Sequence, residues 1–367
     1  MKNTELVAQD TVWIGGSDHS LERFENMFPL PDGVSYNSYV ILDEKVVLFD
    51  TADVTIADQY LANLKEVLGE RVPDYLVILH MEPDHCSQLE KVIGMYPDLT
   101  VVSSAQTFRF IGQFFPALKI ANQIVVKEGA ELCTGAHTFR FIAAPQVHWP
   151  EVMFAYDKTT SALFTADAFG TFGAVDNGIF ADEYDFGAQF LDDARRYYAN
   201  IVGKFGANVQ AALKKTAGLE IARILPLHGP VWRENLSWFI GKYQLWSTYT
   251  PESDDILVIY GSMYGHTRAA AEKFADAVSK ASGKKAVLLD ASAASLIQVG
   301  ITEYPDDGAL GIVFQDVIGA TPDDDTRFLG GQTADDAALR YEQGVARRDV
   351  VLDSCAVALK NDVHQVA

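Results

Sequence analysis

The stretch His80-Met81-Glu82-Pro83-Asp84-His85 follows an apolar run at residues 75–79 that has the composition of a buried strand. A strand end presents side chains from a rigid base, and a turn at Pro83 directs four ionisable groups towards one point. Burying four such groups carries a heavy desolvation cost unless something compensates their charge. The stretch therefore predicts a metal site at the end of this strand.

Three more candidate ligands lie farther along the chain, each just past a predicted strand: His148 in QVHWPEVM, Asp167 in LFTADAFG and His228 in ILPLHGPVW. Taken singly, a His or Asp in such a position is most often a hydrogen-bonded turn residue. Together with the first stretch they give four imidazoles and three carboxylates, which are enough donors for two metal ions. The remaining histidines are expected to be ordinary surface or turn residues: His19, His137, His266 and His364.

The types of donor narrow the choice of metal. Thiolates are absent from the set, and mixed imidazole and carboxylate donors suit iron or manganese, with zinc still possible. Three ionised carboxylates offset most of the charge of two metal ions, and one carboxylate can bridge the pair through its two oxygens. From the donors alone, the identity of the metal stays open.

The order and spacing of these residues resemble a known family. The pattern H-x-H-x-D-H followed by a distant His, Asp and His is typical of the metallo-β-lactamase fold, whose usual members bind zinc and hydrolyse. Here Glu82 replaces the second histidine, and 62, 18 and 60 residues separate the four successive ligands from His85 to His228. The chain thus resembles flavodiiron proteins, also called A-type flavoproteins, over roughly residues 5 to 290, and the strings GVSYNSYVILD, HWPEVMF, DAFGTFG and LPLHGPVWR add to the resemblance.

The resemblance implies a fold and a site. It implies an α/β chain in which a metallo-β-lactamase-like αββα sandwich precedes a flavodoxin-like doubly wound domain. Glu82 is the residue that favours iron over zinc, because a harder oxygen donor replaces an imidazole. The implied ligands are His80, Glu82 and His148 for one iron, Asp84, His85 and His228 for the other, and Asp167 as the bridge.

The resemblance also implies an activity and partners. Family members reduce dioxygen to water, nitric oxide to nitrous oxide, or both, using FMN and the diiron centre. Electrons come from a small redox partner such as rubredoxin or a flavin reductase. A head-to-tail homodimer or homotetramer is expected, since it brings one subunit's flavin against the other's irons. The chain has no C-x-x-C pair, so no rubredoxin domain is expected within it.

A second motif, the loop from Ser262 to Thr267, lies between a predicted strand, Ile256–Tyr260, and a predicted helix, Arg268–Ser282. Its hydroxyls, the backbone N–H groups of the turn and the helix dipole form a phosphate cradle that resembles the FMN-phosphate loop of flavodoxin-like domains. Taken alone, such a stretch would more often only cap a helix. The cofactor-binding candidates are Ser262, Met263, Tyr264, Gly265, His266 and Thr267.

The chain is expected to comprise a diiron domain at residues 1–250 and an FMN domain at residues 254–367, joined by a polar linker. The second domain is short or atypical after about residue 300, because QDVIGATPDDDTR follows the strand candidate Ala309–Phe314 in place of a G-S-P-T-like flavin loop. Elsewhere we expect a hairpin near residues 36–50 and a strand at Thr138–Ala143. Predicted helices cover Ala57–Gly69, Asp192–Phe205 and Asn208–Ala217.

Composition excludes several classes of partner. The 367 residues carry a net charge of −21, which repels nucleic acid and anionic membrane surfaces. The sequence has neither an apolar leader segment nor an apolar run of about 18 residues, so a cytoplasmic protein is expected. Three widely spaced cysteines suggest neither a disulfide framework nor a thiolate zinc site.

Two other functions compete with the oxidoreductase. One is a zinc hydrolase of the metallo-β-lactamase fold, in which a metal-bound hydroxide attacks an ester or thioester. The other is a non-catalytic scaffold whose C-terminal domain binds a partner. The complete set of seven candidate ligands favours a catalyst, and metal analysis discriminates between iron and zinc.

Overall fold

A computed structural model of the chain describes residues 4–291 and the backbone of residues 311–315. The chain divides into two compact units between Thr250 and Pro251. Several sequence features discussed above lie outside the described residues: residues 316–327 of the QDVIGATPDDDTR segment, His364, and one of the three cysteines, Cys355. Within the described part, no helix is both long and apolar enough to cross a membrane.

The first unit mixes short strands with helices along its whole length. Its strands are β1 (Glu5–Ala8), β2 (Thr11–Trp13), β3 (Gly16–Asp18), β4 (Arg23–Phe24), β5 (Phe28–Pro29), β6 (Val34–Tyr36), β7 (Tyr39–Leu42), β8 (Val46–Phe49), β9 (Tyr75–Val77), β10 (Thr100–Ser104), β11 (Asn122–Val126), β12 (Glu131–Cys133), β13 (Thr138–Ala143), β14 (Met153–Asp157), β15 (Ala162–Phe164) and β16 (Arg223–Leu225). Its helices are α1 (Ala57–Leu68), α2 (Pro83–Cys86), α3 (Leu89–Met95), α4 (Ala105–Phe114), α5 (Phe186–Gln189), α6 (Leu191–Tyr197), α7 (Gly206–Thr216) and α8 (Leu236–Ser247).

Two sheets form the centre of this unit. The seven-stranded sheet has the order β1-β2-β7-β8-β9-β10-β11, antiparallel as far as β8 and parallel from β8 to β11. The five-stranded sheet has the order β12-β13-β14-β15-β16, in which only the last pair is parallel. In both sheets the parallel strands end at a common edge, and this places the segments that follow them close together.

The main core lies between the sheets. Phe49 of β8 stacks on Phe164 of β15 with ring centroids 4.2 Å apart, and Phe139 of β13 packs on both rings. On the outer faces, α1 packs on β7 and α4 on β10, while α7 covers β13. Two sheets face to face with helices outside are the layers of an αββα sandwich, as the resemblance predicts.

Several predicted elements are present with close bounds. β7 and β8 form the predicted hairpin, β13 spans the predicted strand at Thr138–Ala143, and α1 covers the predicted helix. The backbone is helical over the whole of the predicted Asp192–Phe205 range, but the prediction of one regular helix is wrong. α6 ends at Tyr197, and a π-helical turn and a 3-10 turn follow it. The Asn200 side chain donates to the Arg196 carbonyl, 2.7 Å away, and so competes with the regular helical hydrogen bonds.

The second unit begins with β17 (Ile256–Gly261), α9 (His266–Ser282), β18 (Ala286–Asp290) and β19 (Gly311–Gln315). The strands are parallel and β17 lies between β18 and β19, which is the order with which a flavodoxin-like sheet begins. Val258 of β17 packs against Ala271 and Ala275 of α9. This arrangement follows from the apolar face of the helix and the continuous apolar run of the strand.

Candidate metal centre

The segment from His80 to His85 leaves the sheet where β8 and β9 end side by side. The Asp50 carboxylate, just after β8, accepts hydrogen bonds from the N–H groups of Leu79 at 2.8 Å and His80 at 3.2 Å. Thr51 donates both its N–H and its hydroxyl to the His85 carbonyl, at 2.8 and 2.7 Å. The residues that follow β8 thus hold in place the backbone that follows β9.

Pro83 begins a helical turn and not the simple turn that we expected. It is the first residue of α2, and proline favours that position because its fixed φ already suits a helix and its missing N–H is not needed there. The turn carries Asp84 and His85 and leaves Glu82 at its N-terminal boundary. The side chains of this short segment therefore diverge enough to serve two neighbouring positions.

Asp167 and His228 approach from the other sheet. They follow the parallel strands β15 and β16, and the Leu227 N–H donates to the Ala166 carbonyl at 2.9 Å, so the two segments are bonded to each other. Ala166 has a positive φ of 48°, a conformation that costs a non-glycine residue about 1–3 kcal/mol. Such strain persists only because the surrounding contacts fix this backbone.

Four of the predicted ligands form one group. His148 Nε2 lies 2.9 Å from Glu82 Oε2 and 3.1 Å from Asp167 Oδ2. His80 Nε2 lies 3.1 Å from the same Glu82 oxygen and 3.5 Å from the same Asp167 oxygen. All four side chains belong to buried residues, and their donor atoms are close enough to bind a single metal ion.

The other three predicted ligands form a second group. His228 Nε2 lies 3.2 Å from Asp84 Oδ2 and 3.1 Å from His85 Nε2. Asp167 connects the two groups: its Oδ2 faces His80 and His148, whereas its Oδ1 lies 3.1 Å from His85 Nε2. The structure thus brings all seven predicted side chains together in one pocket.

The arrangement of the donor atoms suits metal ions better than it suits hydrogen bonds among the donors. Both Asp84 carboxylate oxygens and Asp167 Oδ1 are buried. The Nε2 atoms of His228 and His85 lie 3.2 and 3.1 Å from Asp84 Oδ2 and Asp167 Oδ1, but among the described residues no contact to these oxygens has hydrogen-bond geometry. Two imidazole nitrogens that point at each other, as in His85 and His228, repel unless a proton or a cation lies between them. Buried charges of this kind are normally paired or bound to metal, so this donor set fits two cations.

Without metal, the carboxylates of the pocket raise the pKa values of two of its histidines, His85 and His148. Burial would lower the pKa of His85 and His148, but neighbouring carboxylates outweigh it and raise both pKa values to about 9. Burial likewise opposes ionisation of Asp167, yet the charges of His80 and His85 hold the pKa of that carboxyl well below its ordinary value. Metal binding must displace these protons, so protons and metal compete for the pocket.

Several buried residues that the sequence did not single out position the ligands. Glu151 accepts from His80 Nδ1 at 2.8 Å, and the Ser35 carbonyl accepts from His228 Nδ1 at 2.8 Å. Asn37 donates to the carbonyls of Pro226 and Gly229, on either side of His228. In the sequence, these residues were marked only by lying in segments that resemble the family, and that resemblance assigned no role to them.

Gly229 is required beside the last ligand. It has a φ of +72°, and a Cβ at this position would lie 2.2 Å from the Thr171 side chain. Its N–H donates to Ser35 Oγ at 2.7 Å. A larger residue here would displace the His228 loop, since both the backbone conformation and the available space exclude a side chain.

Aromatic rings surround part of the pocket. Phe24, Tyr36 and Tyr197 pack around the His228 ring with centroids 5.3 to 5.6 Å from it. Near the other group, Glu25 faces Glu82, and desolvation together with that neighbouring charge raises the pKa of Glu25 to about 7. The pocket therefore has an apolar wall on one side and an acidic residue on the other.

The expectation that His137 is a surface or turn residue is wrong. Its side chain is fully buried, and its Nδ1 lies 2.8 Å from the carboxylate of Asp157, which is also buried. The His137 N–H also donates to Asp43 at 2.9 Å. These partners are distant in sequence, so local composition gave no sign of the burial.

The second motif forms the expected loop between β17 and α9. The Gly265 N–H donates to Ser262 Oγ at 3.0 Å, which closes the loop, and Gly265 has a φ of +83°. α9 begins at the next residue, and its N-terminal N–H groups open onto the loop. Met263 and Tyr264 are 65% and 70% exposed. The loop therefore has the form of a site for a phosphate group.

Comparison with known proteins supplies the family. The model for the ODP family beta lactamases matches residues 34–229, more than half of the chain. The chain belongs to this family. The match starts at β6 and ends just after His228, so it encloses all seven predicted ligands.

Some of the proteins that are similar to this chain have names of redox proteins. The anaerobic nitric oxide reductase flavorubredoxin of Vibrio vulnificus is 32% identical over 276 residues, covering 72% of this chain and 54% of that protein. The chain spans about half the length of the curated relatives that it matches.

Two solved structures extend the comparison. The flavodiiron protein from Giardia intestinalis has a TM-score of 0.74 at 28% identity, covering 82% of this chain and 72% of that one. The rubredoxin oxygen:oxidoreductase from Desulfovibrio gigas has a TM-score of 0.75 at 26% identity, with 84% and 77% covered. The predicted resemblance to flavodiiron proteins and the predicted fold class are thereby confirmed.

Proposed function

We propose that this chain is a diiron and FMN oxidoreductase that reduces dioxygen to water, nitric oxide to nitrous oxide, or both. One iron would be held by His80, Glu82 and His148, and the other by Asp84, His85 and His228. Asp167 would bridge them, because its two oxygens face different groups. The convergence of seven buried donors in two adjoining groups is the observation that carries this proposal.

The reactions set the electron count that the cofactors must meet. Dioxygen needs four electrons and four protons to give two waters, and two molecules of nitric oxide need two electrons and two protons to give nitrous oxide and water. When bound, a diferrous pair and a reduced flavin supply four electrons in total. The pocket itself must therefore hold the metals through a change of oxidation state and admit small gases and protons.

The side chains of the pocket meet these needs. Three carboxylates, Glu82, Asp84 and Asp167, offset most of the cationic charge in a buried site. Hydrogen bonds to the backbone keep the ligand segments in place as that charge changes. The rings of Phe24, Tyr36 and Tyr197 keep bulk water from the His228 side, which suits an apolar diatomic substrate.

Relatives with names of redox proteins support the oxidoreductase over the hydrolase. Glu82 adds a chemical reason, since a carboxylate in place of an imidazole favours iron over zinc. The flavorubredoxin and the rubredoxin oxygen:oxidoreductase named above support nitric oxide and dioxygen as substrates and a rubredoxin-type protein or a flavin reductase as electron donor.

We further propose that residues 1–250 form the diiron domain and residues 254–367 the FMN domain. Ser262 to Thr267 would hold the FMN phosphate at the start of α9, using the loop that Ser262 and Gly265 close. A head-to-tail homodimer or homotetramer and a cytoplasmic location complete the proposal.

Gas consumption tests the proposed activity. The full chain, loaded with iron and FMN and reduced under anaerobic conditions, is exposed separately to dioxygen and to nitric oxide in an electrode cell. We expect rapid consumption of at least one gas, and none with chain from which a chelator has removed the metal. Iron-loaded protein that consumes neither gas would overturn the proposal.

A further inference from the structure

The two groups of ligands differ in the hydrogen-bond partners of the Nδ1 atoms of their histidines. His80 Nδ1 donates to the Glu151 carboxylate, and both side chains are fully buried. His228 Nδ1 donates to a neutral backbone carbonyl, that of Ser35. The His85 Nδ1 atom is buried and has no hydrogen-bond partner within residues 4–291. In one group a carboxylate is thus hydrogen-bonded directly to a ligand histidine, whereas in the other group the described residues place no carboxylate at the Nδ1 atom of His85 or His228.

Glu151 is held in place by more than the histidine. The same oxygen, Oε1, that faces His80 also accepts the Met81 N–H at 2.9 Å, and the other oxygen is buried without a hydrogen-bond partner among the described residues. The Trp149 ring packs edge-on against His80, with centroids 5.3 Å apart. The carboxylate is therefore rigid, dry and directed at one ring nitrogen.

We propose that Glu151 is a positioning residue that makes the two metal positions inequivalent. Through His80 it strengthens metal binding at the position formed by His80, Glu82 and His148, and it makes the iron bound there the more easily oxidised of the pair. This inference rests on the proposed diiron function.

The physical reason is the effect of a hydrogen-bonded carboxylate on imidazole. An acceptor at Nδ1 fixes the tautomer with Nε2 free for metal, and a negative acceptor draws the proton towards itself and makes Nε2 a stronger donor. A stronger donor stabilises a higher metal charge, and burial makes the nearby negative charge more effective. A backbone carbonyl fixes the tautomer of His228 equally well but adds no charge.

Two substitutions separate the effect of the hydrogen bonds that Glu151 accepts from the effect of its negative charge. Glu151→Gln keeps an amide oxygen for His80 and Met81 while it removes the charge. Glu151→Ala removes both, and losing such an outer partner typically lowers metal affinity about 10- to 100-fold. Asp157→Asn is the matched control, because it neutralises a buried carboxylate that also faces a histidine, His137, outside the ligand set.

The experiment measures equilibrium binding of Fe²⁺ and the two midpoint potentials of the iron-loaded full chain. We expect Glu151→Ala to lose about 10- to 100-fold in affinity for one of two irons and to keep the other. We expect Glu151→Gln to keep both irons and to raise the lower of the two potentials, and Asp157→Asn to change neither quantity.

Three outcomes would overturn the inference: equal loss at both positions, unchanged potentials in Glu151→Gln, or the same shifts in Asp157→Asn. Glu151→Gln decides the matter if Glu151→Ala does not fold. A wild-type chain that binds no iron would instead overturn the proposed function, so the two failures are distinguishable.

Discussion

The Nε2 atoms of His85 and His228 lie 3.1 Å apart although the residues are 143 positions apart in the chain. One arrives on a helical turn after the seven-stranded sheet and the other on a loop after the five-stranded sheet. Both rings are fully buried. The two halves of the sandwich therefore meet at a pair of nitrogen atoms that only a proton or a cation can hold together.

Glu82→His tests whether the Glu82 carboxylate makes the site prefer iron over zinc. The imidazole is a softer donor and removes one negative charge, so we expect iron content to fall from about two to about one per chain and zinc content to rise. Metal analysis of protein purified from medium with equal iron and zinc measures this. Glu131→His, at an exposed glutamate, is the control, and unchanged iron in Glu82→His would contradict the assignment.

Removal of metal gives the stability of the chain a characteristic pH dependence. His85 and His148 have folded pKa values of about 9 against an ordinary value of 6.5. Their protonation therefore stabilises the metal-free fold fully below about pH 6.5, and this contribution is lost as pH rises through about 9. We expect the melting temperature of chelator-treated protein to fall over that range.

The iron-loaded chain provides the comparison for this prediction. Its ring nitrogens would carry metal in place of protons, so its melting temperature should change much less over the same pH range. Thermal unfolding followed by circular dichroism compares the two forms. A metal-free chain whose stability is flat or rises between pH 6.5 and 9 would show that the histidines are not charged in the pocket.

Asn37→Ala tests how the His228 loop is held. The side chain donates to the carbonyls of Pro226 and Gly229 and accepts from Trp13 Nε1, all in the interior. Leaving these groups unpaired should lower the free energy of unfolding by roughly 1–3 kcal/mol and also reduce iron content. Urea unfolding and iron analysis measure the two effects.

Asn63→Ala is the matched control for that substitution. Asn63 is also buried and donates to two carbonyls, those of Ile14 and Gly15, away from the ligand loops. It should lose similar stability and keep its iron. Equal loss of iron in both variants would mean that Asn37 acts through general stability alone.

Ser262→Ala tests the phosphate loop. The hydroxyl accepts the Gly265 N–H and closes the turn before α9, and a net hydrogen bond of about 0.5–1.5 kcal/mol corresponds to a loss of FMN affinity of up to about tenfold. Flavin fluorescence titration of the full chain measures it. Ser282→Ala, at the other end of α9, should bind FMN like wild type, and equal affinities in all three proteins would exclude the loop.

Local patterns were sufficient wherever one face or one run of residues determines an element. The alternation of residues 138–143 predicted β13, and the run before His80 predicted a strand at β9 that ends just before the ligands. The ligand set could be proposed because each member follows a strand, and parallel strands end at common edges. The proximity of the side chains is now a structural observation, whereas their role as ligands stays a prediction.

Long-range partners could not be predicted in the same way. Glu151 and His80 are 71 positions apart, and Asn37 and Pro226 are 189 apart, so no local pattern links them. The break after Tyr197 depends on one side chain of Asn200 that competes for a helical carbonyl. The strand pairs β1–β2 and β4–β5 are too short for their alternation to stand out.

Metal analysis of the purified full chain is the most direct test of the proposed diiron centre. Protein produced in iron-supplemented medium is analysed for iron and zinc and examined by Mössbauer spectroscopy. We predict about two irons per chain, in two spectroscopically distinct environments, and about one iron per chain in Glu82→His. A wild-type chain that holds two zinc ions, or no metal at all, would contradict this prediction.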